Sequence, residues 1–173
     1  MSIPSVHLAH GASGSANSMR PHVEGLRRRG IAAQAVQLPR GPAERAMPAY
    51  LAAVPPDPAA VIGGHSFGGR VASLLAAEHR YAGLVLLSYP LHPPGRPERA
   101  AERTDHWPMI ACPVLLLSGD RDPFARAELL RDLVRQLPRA ELVLYPGLRH
   151  GIGPHLEDAL DRIAAFVRDL ADC

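Results

Sequence analysis

A strand-like segment that runs directly into a glycine-rich turn and then a helix constrains this chain more than any other feature. Residues 59–62 are apolar and partly β-branched, residues 64–68 read Gly-His-Ser-Phe-Gly, and residues 71–78 have the apolar spacing of a helix. A serine centred in a G-x-S-x-G turn between strand and helix is typical of a nucleophile elbow, where a strained backbone exposes the hydroxyl above a sheet. The sequence therefore predicts Ser66 as a nucleophile.

A nucleophilic serine needs a base, and the base needs an orienting carboxylate. Residues 114–117 read as a buried strand, and the loop Gly-Asp-Arg-Asp-Pro follows at 119–123. We predict Asp122 as the orienting acid. Asp120 is the alternative, although a turn aspartate more often accepts hydrogen bonds from nearby backbone N–H groups. A third interpretation is that both aspartates only cap the helix that follows.

The base is predicted on the loop after the last strand. Residues 141–145 read as a strand, and His150 lies on the loop that leads from it to the final helix. The chain has nine histidines, so the presence of a histidine carries little weight by itself. The order Ser66, Asp122, His150, with each residue beyond a strand end, is the order of a serine hydrolase triad.

The loop after the first strand supplies the fourth part of the predicted site. Residues 5–9 read as a strand, and His-Gly-Ala-Ser-Gly-Ser follows at 10–15. Small residues there let a backbone N–H approach a substrate oxygen. We predict the N–H groups of Ala12 and Phe67 as an oxyanion hole, and Ser13 as a substrate contact. The alternative is a flexible glycine–serine loop without a role in chemistry.

Strands and helices alternate along the chain, which favours a parallel sheet covered by helices on both faces. The pattern predicts one domain, residues 1–173, with about six strands in a mostly parallel sheet. The predicted strands lie near 5–9, 31–38, 59–64, 82–88, 113–118 and 140–145. The predicted helices lie near 18–29, 43–54, 67–80, 124–136 and 154–170, with a further turn or two of helix over 98–106.

Three segments together resemble the α/β-hydrolase superfamily: residues 63–70, Tyr-Pro-Leu-His-Pro-Pro-Gly-Arg-Pro at 89–97, and Gly-Asp-Arg-Asp-Pro-Phe at 119–124. The chain is most similar to a small dienelactone-hydrolase-like group, which includes the hydrolase-like domain of a subunit of the NSL histone acetyltransferase complex. The resemblance implies the α/β-hydrolase fold, and the short segments of this chain predict a minimal form of it without a cap domain. It also implies a triad of Ser66, Asp122 and His150.

Composition limits the partners of the chain. The formal net charge is only +2, and all 19 basic residues are arginine, which suggests a GC-rich bacterial coding bias more than a nucleic-acid surface. We therefore expect no nucleic-acid partner. We also expect no membrane association, because no segment reads as a signal peptide or a transmembrane span. The expected protein is cytoplasmic, a monomer or homodimer, and needs no metal and no organic cofactor.

The connection over 89–112 is too short for a lid domain, so we expect an open site and short acyl groups. Tyr89, Leu91 and Phe124 follow strand ends and are predicted to line the substrate pocket, whereas Trp107 is expected to anchor the connection by packing. The predicted function is a serine hydrolase that cleaves a small carboxylic ester or thioester through an acyl-enzyme on Ser66. The alternative is a catalytically weak binding or scaffold protein with the same fold.

Overall fold

A parallel sheet forms the centre of the molecule and sets the position of every candidate site residue. The structure, a computed structural model, describes residues 2–172. In this part of the chain the sheet has six strands in the order β2-β1-β3-β4-β5-β6, and every neighbouring pair is parallel. The strands are β1 (Ser5–Ala9), β2 (Ala33–Val36), β3 (Ala60–His65), β4 (Gly83–Leu87), β5 (Val114–Gly119) and β6 (Ala140–Tyr145). All strands therefore end at the same edge of the sheet.

Helices connect the strands and cover both faces of the sheet. They are α1 (Arg20–Arg28), α2 (Ala43–Ala53), α3 (Phe67–Glu78), α4 (Ala101–Thr104), α5 (Ala127–Leu133) and α6 (Leu156–Ala171). Short 3₁₀ turns cover Ala16–Met19, Pro97–Arg99, Trp107–Met109, Val134–Gln136 and Gly153–His155. Residues of α1 and α6 form the core on one face, and residues of α2, α3 and α5 form the core on the other.

The fold agrees with the sequence-based expectation in class and differs in detail. Strand β2 is shorter than predicted, and the sheet is wholly rather than mostly parallel. Helix α5 begins at Ala127 instead of near residue 124. The reason is local: Asp122 Oδ1 accepts a hydrogen bond from the Phe124 N–H (2.8 Å), and the Asp122 carbonyl accepts one from the Ala125 N–H (3.1 Å). These bonds hold the segment as a turn.

The connection between β4 and β5 carries only short helical segments and forms no separate cap domain within the described chain. Its packing anchor is Trp107, which is fully buried and meets Tyr89 edge to face at 5.1 Å between ring centroids. The prediction that Trp107 anchors the connection is therefore confirmed.

The glycine at position 68 is required by a close approach of two backbones. A Cβ atom at Gly68 would lie 2.4 Å from the carbonyl oxygen of Ala9 and 2.7 Å from that of His10. Because backbone cannot rotate away as a side chain can, Gly68→Ala should lower the free energy of unfolding by about 2–3 kcal/mol. Urea denaturation measures this loss. Gly153→Ala, where a Cβ meets open space, is the matched control, and an equal effect of the two substitutions would contradict the prediction.

Candidate active site

Ser66 occupies a strained turn between β3 and α3. Its backbone angles are φ 48° and ψ −111°, a conformation that L-residues rarely adopt outside functional sites. The strand and the helix leave the turn so close together that a Cβ at Gly64 would lie 2.5 Å from the Ala9 carbonyl oxygen. The glycine pattern in the sequence thus corresponds to a real steric requirement, and the serine lies at the carboxyl edge of the sheet.

The histidine and aspartate predicted from the sequence are in direct contact. Asp122 Oδ2 and His150 Nδ1 are 2.8 Å apart, and the Asp122 side chain has no exposed surface. The other oxygen of this carboxylate is held by the Phe124 N–H, so its orientation is fixed. Asp120, the alternative acid, instead accepts a hydrogen bond from the Gly147 N–H at 2.7 Å. The two aspartates therefore have different tasks, and only Asp122 contacts the histidine.

Ser66 and His150 line the same cavity, which has a volume of about 410 Å³. Their side chains form no hydrogen bond with each other in this structure, where both residues are described. Such bonds are often long in ligand-free enzymes and tighten when substrate binds. The His150 ring packs against Phe124 (4.6 Å between centroids) and against His65 (5.2 Å), the residue before the serine.

The two residues whose N–H groups are predicted as oxyanion donors share a cavity with the serine. Ala12 and Phe67 line a second cavity with Ser66, of about 450 Å³. Phe67 is the first residue of α3, so its N–H has no acceptor within the helix and lies at the positive end of the helix dipole. Ala12 lies on the loop after β1 and borders both cavities. The oxyanion role of these two N–H groups stays a prediction.

His10 holds the Ala12 loop in place, a role that the sequence analysis did not assign. Its Nε2 accepts a hydrogen bond from the Leu38 N–H (3.0 Å), which only the unprotonated nitrogen can do. The proton of a neutral ring is then on Nδ1, which donates to the Gly11 carbonyl oxygen (2.7 Å). One ring thus connects the loop before Ala12 to the end of β2.

Two of the predicted pocket residues are placed differently from expectation. Ser13 and Phe124, which are both predicted as substrate contacts, line the 410 Å³ cavity. Tyr89 and Leu91 are fully buried in the core and line neither cavity beside Ser66, which corrects the prediction made for them. The chain turns inward after β4, and Tyr89 Oη donates to a backbone carbonyl of the connection at 2.5 Å. Pro90, between them, lines the 450 Å³ cavity instead.

Ser88 is a second residue that sequence reasoning missed. It follows β4, is fully buried, and has a φ of 49°; within residues 2–172 only Ser66 and Ser88 combine a side chain with a positive φ. Its Oγ accepts a hydrogen bond from the Gly151 N–H at 3.0 Å, directly beside His150. Ser88 therefore fixes the loop of the candidate base. A serine after a strand gives no signal of this role, because the role depends on the backbone angle.

His65, next to the candidate nucleophile, is held neutral. Burial, and secondarily the neighbouring His150, lowers the pKa of His65 from 6.5 to about 4. Its Nε2 is buried without a hydrogen-bond partner among the described residues. A neutral ring beside His150 adds no competing positive charge near neutral pH. His65 thus supports a proton-accepting role of its neighbour.

The depressed pKa of His65 predicts that the protein loses stability in mild acid. The unfolded chain binds a proton below pH 6.5, whereas the folded chain binds it only near pH 4, so the free energy of unfolding falls with pH between these values. For His65 the loss from pH 7.5 to pH 5 is about 2 kcal/mol. Urea denaturation across this range should show that the free energy of unfolding depends less on pH in His65→Gln than in the wild type. The same pH dependence of unfolding in His65→Gln and in the wild type would contradict the prediction. His79→Gln is the control and should keep the pH dependence of the wild type.

Metal sites and membrane-spanning helices are not found among the described residues. Within residues 2–172 no group of three or more His, Cys, Asp and Glu side chains is placed to hold a metal ion. None of the helices described is both long and apolar enough to cross a membrane. The expected cytoplasmic location, the expected monomer or homodimer and the expected independence from cofactors stay predictions.

A parallel sheet flanked by helices, with a strained serine, an aspartate and a histidine beyond its strand ends, defines an α/β hydrolase fold. A sequence model of the family described as alpha/beta hydrolase domain matches residues 41–165. The chain belongs to this family. No curated protein sequence matches the chain significantly. The closer similarity to a dienelactone-hydrolase-like group stays a prediction.

Solved structures with the same fold include a lipase and an esterase. Est1E from Butyrivibrio proteoclasticus is 21% identical, with a TM-score of 0.79 over 98% of this chain and 89% of that one. A monoacylglycerol lipase from Paleococcus ferrophilus is 18% identical, with a TM-score of 0.77 over 99% and 96%. A thermophilic esterase from Thermogutta terrifontis is 20% identical, with a TM-score of 0.70 over 96% and 90%. At these identities the likeness establishes the fold.

Proposed function

We propose that this protein is a serine hydrolase that cleaves a small carboxylic ester or thioester through an acyl-enzyme on Ser66. The observation that carries the proposal is the 2.8 Å contact between Asp122 and His150 across a cavity from the strained Ser66. The similarity of the fold to esterases and lipases supports the same class of substrate. A scaffold protein would have no need to keep a strained serine, which costs of order 1–3 kcal/mol.

Acylation follows from this arrangement. The Ser66 hydroxyl gives its proton to His150 Nε2 as Oγ bonds to the acyl carbon. Asp122 holds the proton on His150 Nδ1 and stabilises the imidazolium that forms. The carbonyl oxygen becomes an oxyanion, and the N–H groups of Ala12 and Phe67 donate to it. The bond to the leaving group then breaks, and the alcohol or thiol departs with the proton from His150.

Deacylation repeats the same steps with water as the nucleophile. Water gives a proton to His150 Nε2 while its oxygen bonds to the acyl carbon of the ester on Ser66. The tetrahedral oxyanion again lies at the N–H groups of Ala12 and Phe67. Oγ of Ser66 leaves and takes the proton back from His150. The carboxylic acid is released, and the enzyme returns to its starting state without a metal or an organic cofactor.

Substrate length is the direct test of the proposed substrate class. The cavities beside Ser66 have volumes of about 450 and 410 Å³, and no cap domain encloses them within the described chain. A methylene left in water forgoes about 0.8 kcal/mol of burial, so long acyl chains should gain little transition-state binding. We expect kcat/KM for 4-nitrophenyl esters from C2 to C12 to be highest at acetyl to butyryl. A maximum at C8 or longer would contradict the proposed substrate class.

A further inference from the structure

The 450 Å³ cavity beside Ser66 has an arginine-rich wall. From Ser66 and the proposed oxyanion donors it extends to Arg70 on α3 and Arg103 on α4. The Arg70 N–H donates to the Ser66 carbonyl oxygen at 3.0 Å, so Arg70 lies four residues, about 6 Å of helix rise, beyond the candidate nucleophile. A group bound at these arginines would therefore be separated from the reacting carbon by only a few bonds of an acyl group.

Each guanidinium keeps N–H donors that no described residue accepts, and only Arg70 has a carboxylate partner. Arg70 Nη2 contacts Glu44 Oε1 at 3.0 Å, but its Nη1 is buried and has no hydrogen-bond partner among the described residues. Arg103 Nη1 donates to the Pro90 carbonyl oxygen at 2.9 Å, and no described carboxylate forms an ion pair with Arg103. Burial and the charge of Arg70 lower the pKa of Arg103, and the two residues line the same cavity.

The other ionisable groups near this wall are two glutamates and a histidine. The Glu44 side chain is 59% exposed, so solvent screens its contribution. Glu102 lines the cavity but is engaged by Arg99 at 2.7 Å. Burial and the charge of Arg70 lower the pKa of His106 to about 4, so this histidine is neutral at pH 7. Glu44 and Glu102 are thus each held by an arginine, whereas the Arg103 guanidinium forms no ion pair with a described carboxylate. A bound anion would gain most at Arg103.

The position of His150 decides which part of the substrate meets the arginines. His150 lines the other cavity beside Ser66, and the base must give its proton to the leaving group. The leaving group therefore lies on the His150 side. The acyl group then extends into the cavity of Arg70 and Arg103, which Ser66 lines but His150 does not.

We propose that the acyl group of the substrate carries a terminal carboxylate that binds between Arg70 and Arg103, so that the substrate is a half-ester or half-thioester of a short dicarboxylic acid. This proposal rests on the proposed serine hydrolase function and narrows its substrate class. Arginine is suited to the role because its planar fork matches a carboxylate.

Two esters that differ in one charge test the proposal. 4-Nitrophenyl hydrogen glutarate is compared with its neutral methyl ester at pH 7.5, with spontaneous hydrolysis subtracted for each. We expect kcat/KM of the wild type to favour the anionic ester by at least tenfold, and Arg103→Gln to reduce this ratio by about tenfold, the usual size of a lost charged hydrogen bond. Arg96→Gln, on the same connection but exposed and outside the cavity, is the matched control and should keep the ratio.

A measurement on the wild type guards against variants that fail to fold. Glutarate should competitively inhibit hydrolysis of the neutral ester, whereas acetate at the same ionic strength should not. The proposal of a carboxylate substrate would be overturned by equal kcat/KM for the two esters in the wild type. It would also be overturned if the ratio of the two values is unchanged in a folded Arg103→Gln variant. In either case hydrolysis of the neutral ester would still support the proposed serine hydrolase function. Absence of hydrolysis for both esters would overturn the proposed function itself.

Discussion

Ser66→Ala should abolish ester hydrolysis and leave the protein folded. Without the hydroxyl no acyl-enzyme can form, and we expect kcat for 4-nitrophenyl acetate to fall at least about 10⁴-fold. Alanine keeps the same backbone preference as serine, so the strain at φ 48° remains and the melting temperature should hardly change. A steady-state assay together with thermal unfolding measures both quantities.

Ser66→Gly separates the chemistry from the strain. Glycine adopts a positive φ without steric cost, so this variant should be as inactive as Ser66→Ala but more stable by about 1 kcal/mol. Retained hydrolysis in either variant would assign the nucleophile elsewhere. Lower stability of the glycine variant would show that the turn at Ser66 is not strained in the folded protein.

Asp122→Asn should produce the second-largest loss, with kcat lower by about 10⁴-fold. The amide can donate as well as accept, so it no longer fixes the proton on His150 Nδ1. Asp120→Asn removes the same charge from the same loop and is the matched control. Its remaining Oδ1 can still accept the Gly147 N–H, and we expect less than a tenfold change. Steady-state kinetics of both variants give the comparison.

The opposite pattern would reverse the assignment of the acid. A large loss in Asp120→Asn with a small one in Asp122→Asn would mean that the loop rearranges when substrate binds. Equal, small losses would mean that His150 needs no orienting carboxylate. Equal, large losses with lower melting temperatures would identify both aspartates as supports of the turn, the capping interpretation left open by the sequence.

The parts of the site that the sequence predicted are those set by local patterns and chain order. Gly64 and Gly68 are visible in the sequence because the close approach of strand and helix tolerates no side chain. Asp122 and His150 were identified because each follows a strand, and parallel strands end at one edge of the sheet. Their contact is a direct consequence of the strand order, in which β5 and β6 are neighbours.

The parts that the sequence did not predict depend on backbone direction and on contacts between distant segments. Tyr89 follows a strand end, as a pocket residue would, yet the chain turns at Ser88 and carries its ring into the core. Arg70 and Arg103 are separated by 32 intervening positions, and no periodicity indicates that they border one cavity. Side-chain direction after a strand end depends on the next few backbone angles, which composition and spacing do not determine.

The most direct test of Ser66 as nucleophile is covalent labelling with a fluorophosphonate, followed by mass spectrometry of the peptides. The reagent modifies a serine only when a base and oxyanion donors activate it, so native protein should carry one phosphonyl group, on Ser66. Protein unfolded in urea should carry none, because His150 and the N–H groups of Ala12 and Phe67 are then no longer held near the serine. Labelling of native protein at another residue, or no labelling of Ser66, would contradict the account and favour a binding protein that keeps the fold.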